Sequence, residues 1–347
     1  MNLLAIETSC DECSAAVLQD GSLKSIVISS QLIHTEYGGV VPELASRAHM
    51  ELIVPVVEEA LIKSSVDKDN IEAVAVTYGP GLAGSLIVGL SFAKAFAAAR
   101  GIPVIGINHM EGHLYSTFLE DDKPEFPFVA LIVSGGHTML IHVREPYSHE
   151  LVGQTRDDAA GEAFDKVAKL LGLGYPGGPI IDKLAKEGNA RAFSFPKAFL
   201  SRSSTPENGE TFEFSFSGLK TSVLYLLRDL KYNADVRDEK LVRDICASFQ
   251  RAVVDVLVEK AARAAERFSV RSISVAGGVA ANRELRETIQ ARASSIGAKA
   301  HFPRPLYCTD NAAMIGMAAH FKILKYGMVS DLSLKPVPNL PLIAEPA

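Results

Sequence analysis

Hydrophobic and polar positions follow two similar series along the chain. Each series begins with two short apolar runs that a polar turn separates, at 3–6 and 15–18 in the first and at 128–133 and 139–143 in the second. Short apolar runs on both sides of a tight polar turn are typical of a β-hairpin. The sequence therefore predicts a hairpin at the start of each half.

Stretches with helical spacing and further apolar runs alternate after each hairpin. Helices are predicted near 42–63, 82–99, 239–268, after 282 and at 312–326. Strands are predicted at 73–77, 104–107 and 272–276. Alternating strands and helices indicate a largely buried sheet covered by helices. We therefore expect two similar α/β lobes with a cleft between them.

The length of 347 residues exceeds that of a typical single domain, which also favours two lobes. We expect an N-terminal lobe at 1–124 and a C-terminal lobe at 125–330 whose last helix packs back across the cleft. Residues near 190–216 have little periodic pattern and form a predicted insertion loop. The tail at 331–347 is rich in proline and is predicted to be extended.

Composition narrows the class of protein. A hydrophobic fraction of 48% with 22% charged residues argues against disorder. The net charge of −6 gives no general attraction for nucleic acid, so such binding needs a local patch or a partner protein. The basic candidates for such a patch are scattered: Arg47, Lys197, Arg202 and Lys220.

No membrane span or signal peptide is expected. The most apolar stretch, 84–99, contains Lys94 and is predicted to be a buried helix. The apolar start of the chain ends at Glu7, which is too early for a signal peptide. A cytoplasmic enzyme is the expected class.

A pair of histidines, His109 and His113, follows a predicted strand. Residues four apart on a helix project from one face, which suits two ligands of one metal ion. The zinc protease pattern H-E-x-x-H needs Glu where Met110 stands, and the inverted pattern needs Glu where Gly112 stands. The pair therefore indicates a metal site that does not cleave peptides; the alternative is a helix with two structural histidines.

A third ligand is sought before the last predicted helix. Asp310 stands there, and it either caps that helix or completes a His-His-Asp set. Cys308 is the rival ligand, and spacing alone does not decide between them. Three protein ligands leave positions open for substrate and suit iron or zinc.

Two further cysteines, Cys10 and Cys13, form a C-x-x-C. They are either a redox or metal pair, or a chance pair in a polar turn. The second interpretation is favoured, because no other C-x-x-C exists to complete a structural zinc site.

Several glycine-rich turns follow predicted strands. Backbone N–H groups converge in such turns and bind anions, and small residues let a phosphate approach. Each turn alone is an ordinary tight turn, but four of them favour a nucleotide. No Walker loop and no G-x-G-x-x-G fingerprint is present. The turns are at 133–138, 275–283, 175–179 and 78–81.

Eight motifs together resemble the tRNA adenosine threonylcarbamoyltransferase family (TsaD). The resemblance extends from about Leu3 to near Tyr326, and one departure is Cys13, where the family usually has Thr. The motifs are at 6–12, 37–47, 109–113, 134–138, 161–166, 216–221, 277–283 and 308–311.

The resemblance implies a fold and a set of site residues. The fold is like that of actin, heat-shock ATPases and sugar kinases, with a duplicated βββαβαβα-type core and a central cleft. His109, His113 and Asp310 would hold one divalent metal ion, iron or zinc. The residues implied to contact the adenylate substrate are Ile132, Val133, Ser134, Gly135, Gly136, Asp165, Gly178 and Asn282, with Asp182 added to this set.

The resemblance also implies a reaction and partners. The family transfers a threonylcarbamoyl group from threonylcarbamoyl-AMP to the exocyclic amine of the adenosine next to a tRNA anticodon. Our hypothesis is that Asp11 or Glu12 takes the amine proton or helps to set the charge on the metal side of the site. The implied partners are tRNA, a paralogue without the metal site (TsaB-like), a small ATPase (TsaE-like) and an enzyme that makes the adenylate.

Four other functions remain as alternatives. A carbamoyl-adenylate-dependent carbamoyltransferase on another acceptor would need extra domains, for which 347 residues leave no room. A non-catalytic scaffold is disfavoured by the retained metal-ligand set. An ATPase or kinase would hydrolyse nucleotide without tRNA, and a metalloprotease is disfavoured by the position of Glu111.

Overall fold

The computed structural model describes residues 1–31, 34, 39–198, 200, 211–234 and 238–342. Its strands are β1 Asn2–Glu7, β2 Glu12–Gln19, β3 Ser22–Ser30, β4 Ala73–Gly79, β5 Val104–Asn108, β6 Phe128–Val133, β7 Thr138–Glu145, β8 Ser148–Gln154, β9 Ser272–Ala276 and β10 Lys299–His301. Its helices are α1 Pro42–Ser64, α2 Ala83–Arg100, α3 His109–Tyr115, α4 Ala160–Leu170, α5 Gly177–Ala185, α6 Ser217–Asp229, α7 Glu239–Arg267, α8 Arg283–Ser295, α9 Pro305–Cys308 and α10 Ala312–Tyr326.

The chain divides into two compact units. One comprises Met1–Lys123, Pro146–Ser148 and Pro303–Ala347, and the other comprises Pro124–Glu145 and His149–Phe302. This division differs from the expected C-terminal lobe at 125–330, because residues from Pro303 onward group with the first unit. The physical reason is that α10 packs on α3, β1 and β2.

The first unit is built on a five-stranded sheet in the order β3-β2-β1-β4-β5. Strands β1, β2 and β3 are antiparallel neighbours, whereas β4 and β5 run parallel to β1. The predicted first hairpin is therefore confirmed. Parallel strands end at the same edge of a sheet, so Glu7 and Asn108, at the ends of β1 and β5, are brought to one side.

The second unit repeats this plan. Its sheet has the order β10-β9-β6-β7-β8, with β6 and β7 antiparallel and β9 and β10 parallel to β6. Each unit thus begins with three consecutive strands and continues with helices that alternate with parallel strands. The first unit has the βββαβαβα order that the resemblance implied, and the second follows it as far as β10, with the helices α4 to α7 between β8 and β9. Helices α4 to α6 were not predicted from the apolar pattern.

Helix α2 is long and apolar enough to cross a membrane by length and composition alone. One such helix is weak evidence, because core helices pass the same test. Its Leu86, Leu90 and Ala93 are buried, and the helix packs on α1 and β4. The predicted burial of this helix is therefore confirmed for one of its faces.

The predicted insertion near 190–216 is described at 190–198, 200 and 211–216, and Arg202 lies outside the described residues. Its return to the fold is anchored by Lys260 of α7, whose Nζ donates to the carbonyl oxygens of Thr211 (2.9 Å) and Glu213 (2.6 Å). Lys260 is almost fully buried, and backbone carbonyls satisfy its ammonium group there.

The chain after α10 lies along the first unit. Val337 N donates to Tyr78 O (2.8 Å), Gly81 N donates to Pro338 O (3.0 Å), and Asn108 Nδ2 donates to Pro341 O (3.0 Å). We call residues 328–342 the strap. It lies against the ends of β4 and β5, directly before the histidine helix.

Gly79 lets the strap lie on β4. A Cβ atom at this position would stand 2.1 Å from the carbonyl oxygen of Val337, a backbone atom, so the strap would have to shift. We expect Gly79→Ala to lower the free energy of unfolding by about 1–3 kcal/mol and to expose the strap to proteolysis. Denaturant titration and limited proteolysis measure the two effects. Gly218→Ala is the control, because a Cβ there meets nothing within 4 Å; equal stability of both variants would contradict the prediction.

Candidate metal centre and nucleotide site

The histidine helix α3 begins at a well-defined cap. Asn108 Oδ1 accepts a hydrogen bond from Met110 N (2.8 Å), and Glu111 Oε2 accepts one from Asn108 N (3.3 Å). This reciprocal pair is a capping box, which satisfies backbone donors that the first turn of a helix leaves open. Glu111 therefore has a structural partner, in agreement with the rejection of the protease templates.

The three predicted metal ligands lie together in the first unit. His113 Nε2 is 3.2 Å from Asp310 Oδ1, and His109 Nε2 is 3.4 Å from the same oxygen. One ligand atom from each residue lies within 4.8 Å of the other two. Both imidazoles are buried, whereas the Asp310 side chain is 23% exposed. The group is thus reachable from the side of the carboxylate.

Asn311, not Asp310, caps the last helix. Asn311 Oδ1 accepts from Met314 N (3.0 Å), which leaves the Asp310 carboxylate available to the histidines. Cys308, the rival ligand, is buried with its Sγ directed to the carbonyl oxygens of Pro303 and Arg304 (both 3.6 Å). The geometry therefore favours Asp310 over Cys308 as the third member.

Glu7 contacts the His109 ring at Nδ1, the nitrogen that does not face Asp310. Glu7 Oε2 lies 3.1 Å from His109 Nδ1 and accepts from Thr77 Oγ1 (2.6 Å). Ser9 adds its Oγ at 3.1 Å from the same nitrogen, and its backbone N–H donates to Glu7. A carboxylate on Nδ1–H fixes the tautomer that leaves Nε2 free for a metal ion.

Electrostatics in this cluster follow from close opposite charges. Burial alone would lower the pKa of His109, but the carboxylates of Asp310 and Glu7 raise it well above its ordinary value. Burial alone would raise the pKa of Asp310, but His109 and His113 hold it well below its usual range. A metal cation binds histidines in their neutral form. When both histidines are neutral, the two carboxylates give this site a net negative charge, which favours a cation.

His113 tests whether a metal ion fits the group. Both of its ring nitrogens are buried and make no hydrogen bond, although Nε2 is within 3.2 Å of the Asp310 carboxylate. A buried polar atom without a partner is costly, and a shared metal ion would satisfy Nε2 and Asp310 together. Two imidazoles and one carboxylate are a donor set that zinc and iron both accept. The residues therefore fit a single metal ion.

Asp11 and Glu12, the hypothesised catalytic pair, lie in the first turn and at the start of β2. Burial, together with the negative charges of Asp310 and Asp11, raises the pKa of Glu12 to about 9. Because the charge of Asp310 acts on the pKa of Glu12, the turn is electrostatically linked to the candidate metal ligands.

The cysteines of the C-x-x-C pair lie in the same region but are not suited to react as thiolates. Burial raises the pKa of both thiols, to about 12 for Cys13, and Cys13 is 1% exposed. A nucleophilic or redox cysteine needs a lowered pKa and access. Both cysteines are free, so the chance-pair interpretation is favoured.

His49 of α1 supports the turn that carries these residues. Its Nε2–H donates to Cys10 O (2.8 Å), while its buried Nδ1 makes no hydrogen bond. Burial lowers the pKa of His49. As the pH falls below the ordinary pKa of histidine, His49 is therefore protonated more readily in the unfolded chain than in the folded chain.

His49 should make stability depend on pH. Because its folded-state pKa is lowered, its contribution is present above the unfolded value near 6.5 and is lost as the pH falls through the folded value. We expect unfolding free energy to decrease more steeply between pH 7 and pH 5 in the wild type than in His49→Gln, by at most about 1.4 kcal/mol per pH unit. Denaturant titrations across this range measure both slopes, and parallel slopes would refute the assignment.

The second unit brings two of the four predicted glycine turns to one edge of its sheet, whereas the turn at 78–81 lies in the first unit and is packed against the strap and Ser9. Strands β6 and β9 are parallel, so the Ser134–Gly136 turn and the Gly277–Gly278 turn follow neighbouring strand ends. A Cβ on Gly277 would stand 2.4 Å from Val133 O, which shows how closely the two turns pack. Ile132 and Val133 are fully buried, so their contribution to a ligand would come from the backbone.

Helices α4 and α5 join this edge. Gly161 N of α4 donates to Ser134 O (3.2 Å), and Asp165 Oδ1 accepts from Gly177 N (2.7 Å) at the start of α5. Burial raises the pKa of Asp165. Asp165 therefore connects the hairpin side of the site to Gly178.

Four glycines in these turns face open space. A Cβ atom would meet nothing within 4 Å among the described residues at Gly135, Gly136, Gly178 and Gly278. Gly135, Gly136 and Gly278 follow strands, but the turn with Gly178 follows α4 and opens α5, so the prediction that it follows a strand was wrong. Glycines with room above the backbone are suited to a phosphate or nucleoside that approaches closely.

Asn282 and Asp182 are the remaining predicted adenylate-contacting residues. A third residue, which the sequence analysis did not single out, connects them. Asn282 caps α8, and its Nδ2 donates to Gln250 Oε1 (2.7 Å); Gln250 Nε2 in turn donates to Asp182 Oδ1 (3.3 Å). The same reasoning missed the supporting roles of Glu7 and His49. These roles depend on contacts between distant parts of the chain, and no local motif encodes them.

Two solved structures show the same fold at low sequence identity. The structure of full-length HypF in the phosphate- and nucleotide-bound form matches 94% of this chain and 47% of that chain with a TM-score of 0.60 and 15% identity. An activator of the 2-hydroxyisocaproyl-CoA dehydratase from Clostridium difficile, with bound ADPNP, matches 94% and 96% with a TM-score of 0.52 and 14% identity. The fold is thus that of the actin and heat-shock ATPase class, as predicted.

The family follows from sequence. A model of the TsaD family, described as tRNA N6-adenosine threonylcarbamoyltransferase, matches residues 22–317. Enzymes of that name from Clostridium perfringens strain 13 and Salinibacter ruber are 52% and 51% identical, over 98% and 99% of this chain and 98% and 100% of their own lengths. The chain therefore belongs to the tRNA N6-adenosine threonylcarbamoyltransferase family, whose members are acyltransferases.

Proposed function

We propose that this protein transfers the threonylcarbamoyl group of threonylcarbamoyl-AMP to N6 of the adenosine next to the anticodon in tRNA. The observation that carries the proposal is the His109–His113–Asp310 group, in which a buried imidazole nitrogen stands 3.2 Å from a carboxylate without a hydrogen bond. Family membership supplies the reaction class, and the glycine turns of the second unit suit the adenylate half of the donor.

The transfer needs one bond made and one broken. The lone pair of N6 attacks the carbamoyl carbon, the bond from that carbon to the phosphate oxygen breaks, and AMP leaves with the electron pair. N6 loses one proton to a base. Because N6 shares its lone pair with the purine ring, the barrier depends on alignment and on stabilising charge at the carbamoyl oxygen.

A metal ion held by His109, His113 and Asp310 would supply Lewis-acid stabilisation of negative charge on the threonylcarbamoyl group. We propose iron or zinc as this ion. Glu7 keeps the Nε2 face of His109 available by accepting from Nδ1, and the exposed side of Asp310 provides the approach.

The second unit would hold the AMP portion. Backbone N–H groups of Gly135 and Gly136 would meet the phosphate, with Gly178 leaving room for it, while Asp165, Asp182 and Asn282 would meet ribose or base hydroxyl and nitrogen groups. The open space above the glycines supports this assignment.

Asp11 or Glu12 would take the N6 proton. With its pKa near 9, Glu12 is protonated at neutral pH and becomes a base only when positive charge offsets Asp310 and Asp11. This coupling would link proton transfer to a filled metal site. Asp11→Asn and Glu12→Gln, assayed at saturating donor, identify which carboxylate lowers turnover.

We further propose that the chain works in the cytoplasm with protein partners, because the family resemblance implies them and tRNA is the substrate. The partners are a TsaB-like paralogue without the metal ligands, a small TsaE-like ATPase and the enzyme that makes the adenylate. Protease activity is disfavoured, since Glu111 is held in a capping box.

The test reconstitutes the reaction. The purified chain, alone and with the TsaB-like and TsaE-like partners, is incubated with threonylcarbamoyl-AMP and unmodified tRNA, and digested tRNA is analysed for threonylcarbamoyladenosine by mass spectrometry. Product that disappears with a chelator and returns with iron or zinc is the expected result. Donor consumption without tRNA modification would overturn the proposed acceptor, and chelator-insensitive transfer would overturn the metal assignment.

A further inference from the structure

Gln250 is a buried amide at the centre of α7 that takes no part in the motifs discussed above. Its side chain is only 2% exposed, yet it contacts three polar residues on two other elements. Oε1 accepts from Asn282 Nδ2 (2.7 Å), and Nε2 donates to Asp182 Oδ1 (3.3 Å) and Glu284 Oε2 (2.8 Å). One side chain thus connects α5, α7 and the start of α8.

The contacts fix the orientation of the Gln250 amide. Asn282 Oδ1 is already committed to Leu285 N (2.9 Å) as the cap of α8, so its Nδ2 must face Gln250. Gln250 therefore presents Oε1 to Asn282 and Nε2 to the carboxylates. The reverse orientation would place Oε1 against two carboxylates and Nε2 against another donor, which no hydrogen bond would compensate.

Gln250 also separates two negative charges. The Nε2 group of Gln250 donates to both Asp182 and Glu284, and each of these carboxylates also has a cation nearby. Lys186 Nζ is 3.9 Å from Asp182 Oδ2, and Arg251 Nε is 2.7 Å from Glu284 Oε1. A neutral donor is the side chain that such a position accepts, because an additional carboxylate would be repelled from two sides.

We propose that Gln250 is a positioning residue for the nucleoside of the donor. By holding Nδ2 of Asn282 and Oδ1 of Asp182, it leaves one N–H of Asn282 and Oδ2 of Asp182 in fixed directions for polar groups of the nucleoside. Ordering these groups before binding removes an entropic cost that the ligand would otherwise meet. The inference rests on the proposed function, since it takes the second unit to be the adenylate site.

The first test substitutes methionine, which is similar in length but cannot hydrogen-bond. AMP and threonylcarbamoyl-AMP are titrated calorimetrically into the full chain, wild type and Gln250→Met. We expect the dissociation constant to rise roughly tenfold, because Asn282 and Asp182 lose their orienting partner. In the reconstituted reaction KM for the donor should rise while kcat at saturating donor stays within about twofold.

A second variant separates positioning from packing. Gln250→Glu keeps the volume and the acceptor for Asn282 but loses the donor to the carboxylates, so its AMP affinity at pH 8 should be weak. Protonation of the introduced carboxyl restores a donor, and Asp182 and Glu284 favour that protonation, against Lys186 and Arg251. We therefore expect its affinity to approach the wild-type value as the pH falls towards 6, an effect that loss of packing would not produce.

Gln290→Met on the exposed face of α8 is the matched control and should leave the affinity unchanged. Unfolding midpoints of all variants show whether each is folded at the titration temperature. Wild-type affinity in both Gln250 variants would overturn the inference while leaving the adenylate site standing. Absence of AMP and donor binding in the wild type would overturn both that site and the inference.

Discussion

Replacing His113 with alanine is expected to remove metal binding and, with it, tRNA modification. His113 offers Nε2 at 3.2 Å from Asp310, and its buried ring has no hydrogen bond to lose. Replacing a residue behind a metal ligand typically weakens binding about 10–100-fold, so loss of a ligand itself should exceed about 100-fold. Titration of the metal-free chain with zinc and with iron(II) measures this loss directly.

A graded series makes this prediction specific. Asp310→Ala should match His113→Ala, whereas Glu7→Gln should cost about 10–100-fold, because Glu7 acts through His109 Nδ1. His320→Gln is the control, since His320 is a half-buried histidine of the same unit that lies against Gly21. Metal affinity that stays at the wild-type value in His113→Ala would exclude this group as the metal site.

A side chain at Gly178 is expected to block the donor without unfolding the protein. A Cβ at this position meets nothing within 4 Å and Gly178 is not at a positive φ, so Gly178→Val should change the free energy of unfolding by no more than about 1 kcal/mol. The added methyl groups would occupy the space proposed for the AMP portion. We expect the dissociation constant for AMP to rise by about 10–200-fold.

Gly277→Ala provides the opposite case in the same site. Its φ of +92° and the 2.4 Å approach of a Cβ to Val133 O make this position intolerant of a side chain. Its stability should therefore fall, while Gly178→Val keeps stability and loses affinity. Calorimetric titration with AMP and denaturant titration of both variants separate the two effects. Unchanged AMP affinity in Gly178→Val would show that the nucleotide does not use this turn.

Family membership and fold class were predictable from the sequence because their signals are local. Apolar runs marked β6 and β9 to the residue, and the spacing of apolar and polar positions marked α10 at 312–326. The motifs that carry the family resemblance are contiguous segments, and the match over residues 22–317 confirmed it. The position of Glu111 alone was enough to disfavour a protease.

Tertiary structure decided which residues form the sites. Sequence spacing left Asp310 and Cys308 as equal rivals for the third ligand. The fold favours Asp310, because Asn311 takes over the helix cap and Cys308 turns to backbone carbonyls. Likewise, α10 groups with the first unit because it packs on α3, a contact about 200 residues away in the chain.

The sequence by itself therefore determined many of the elements, the fold class and the family of this protein, since each depends on the order of neighbouring residues. Only the tertiary structure decided the roles of Glu7, His49 and Gln250. Each of these side chains makes a hydrogen bond to a residue at least 32 positions away, and such pairings arise from chain packing, which local pattern does not specify.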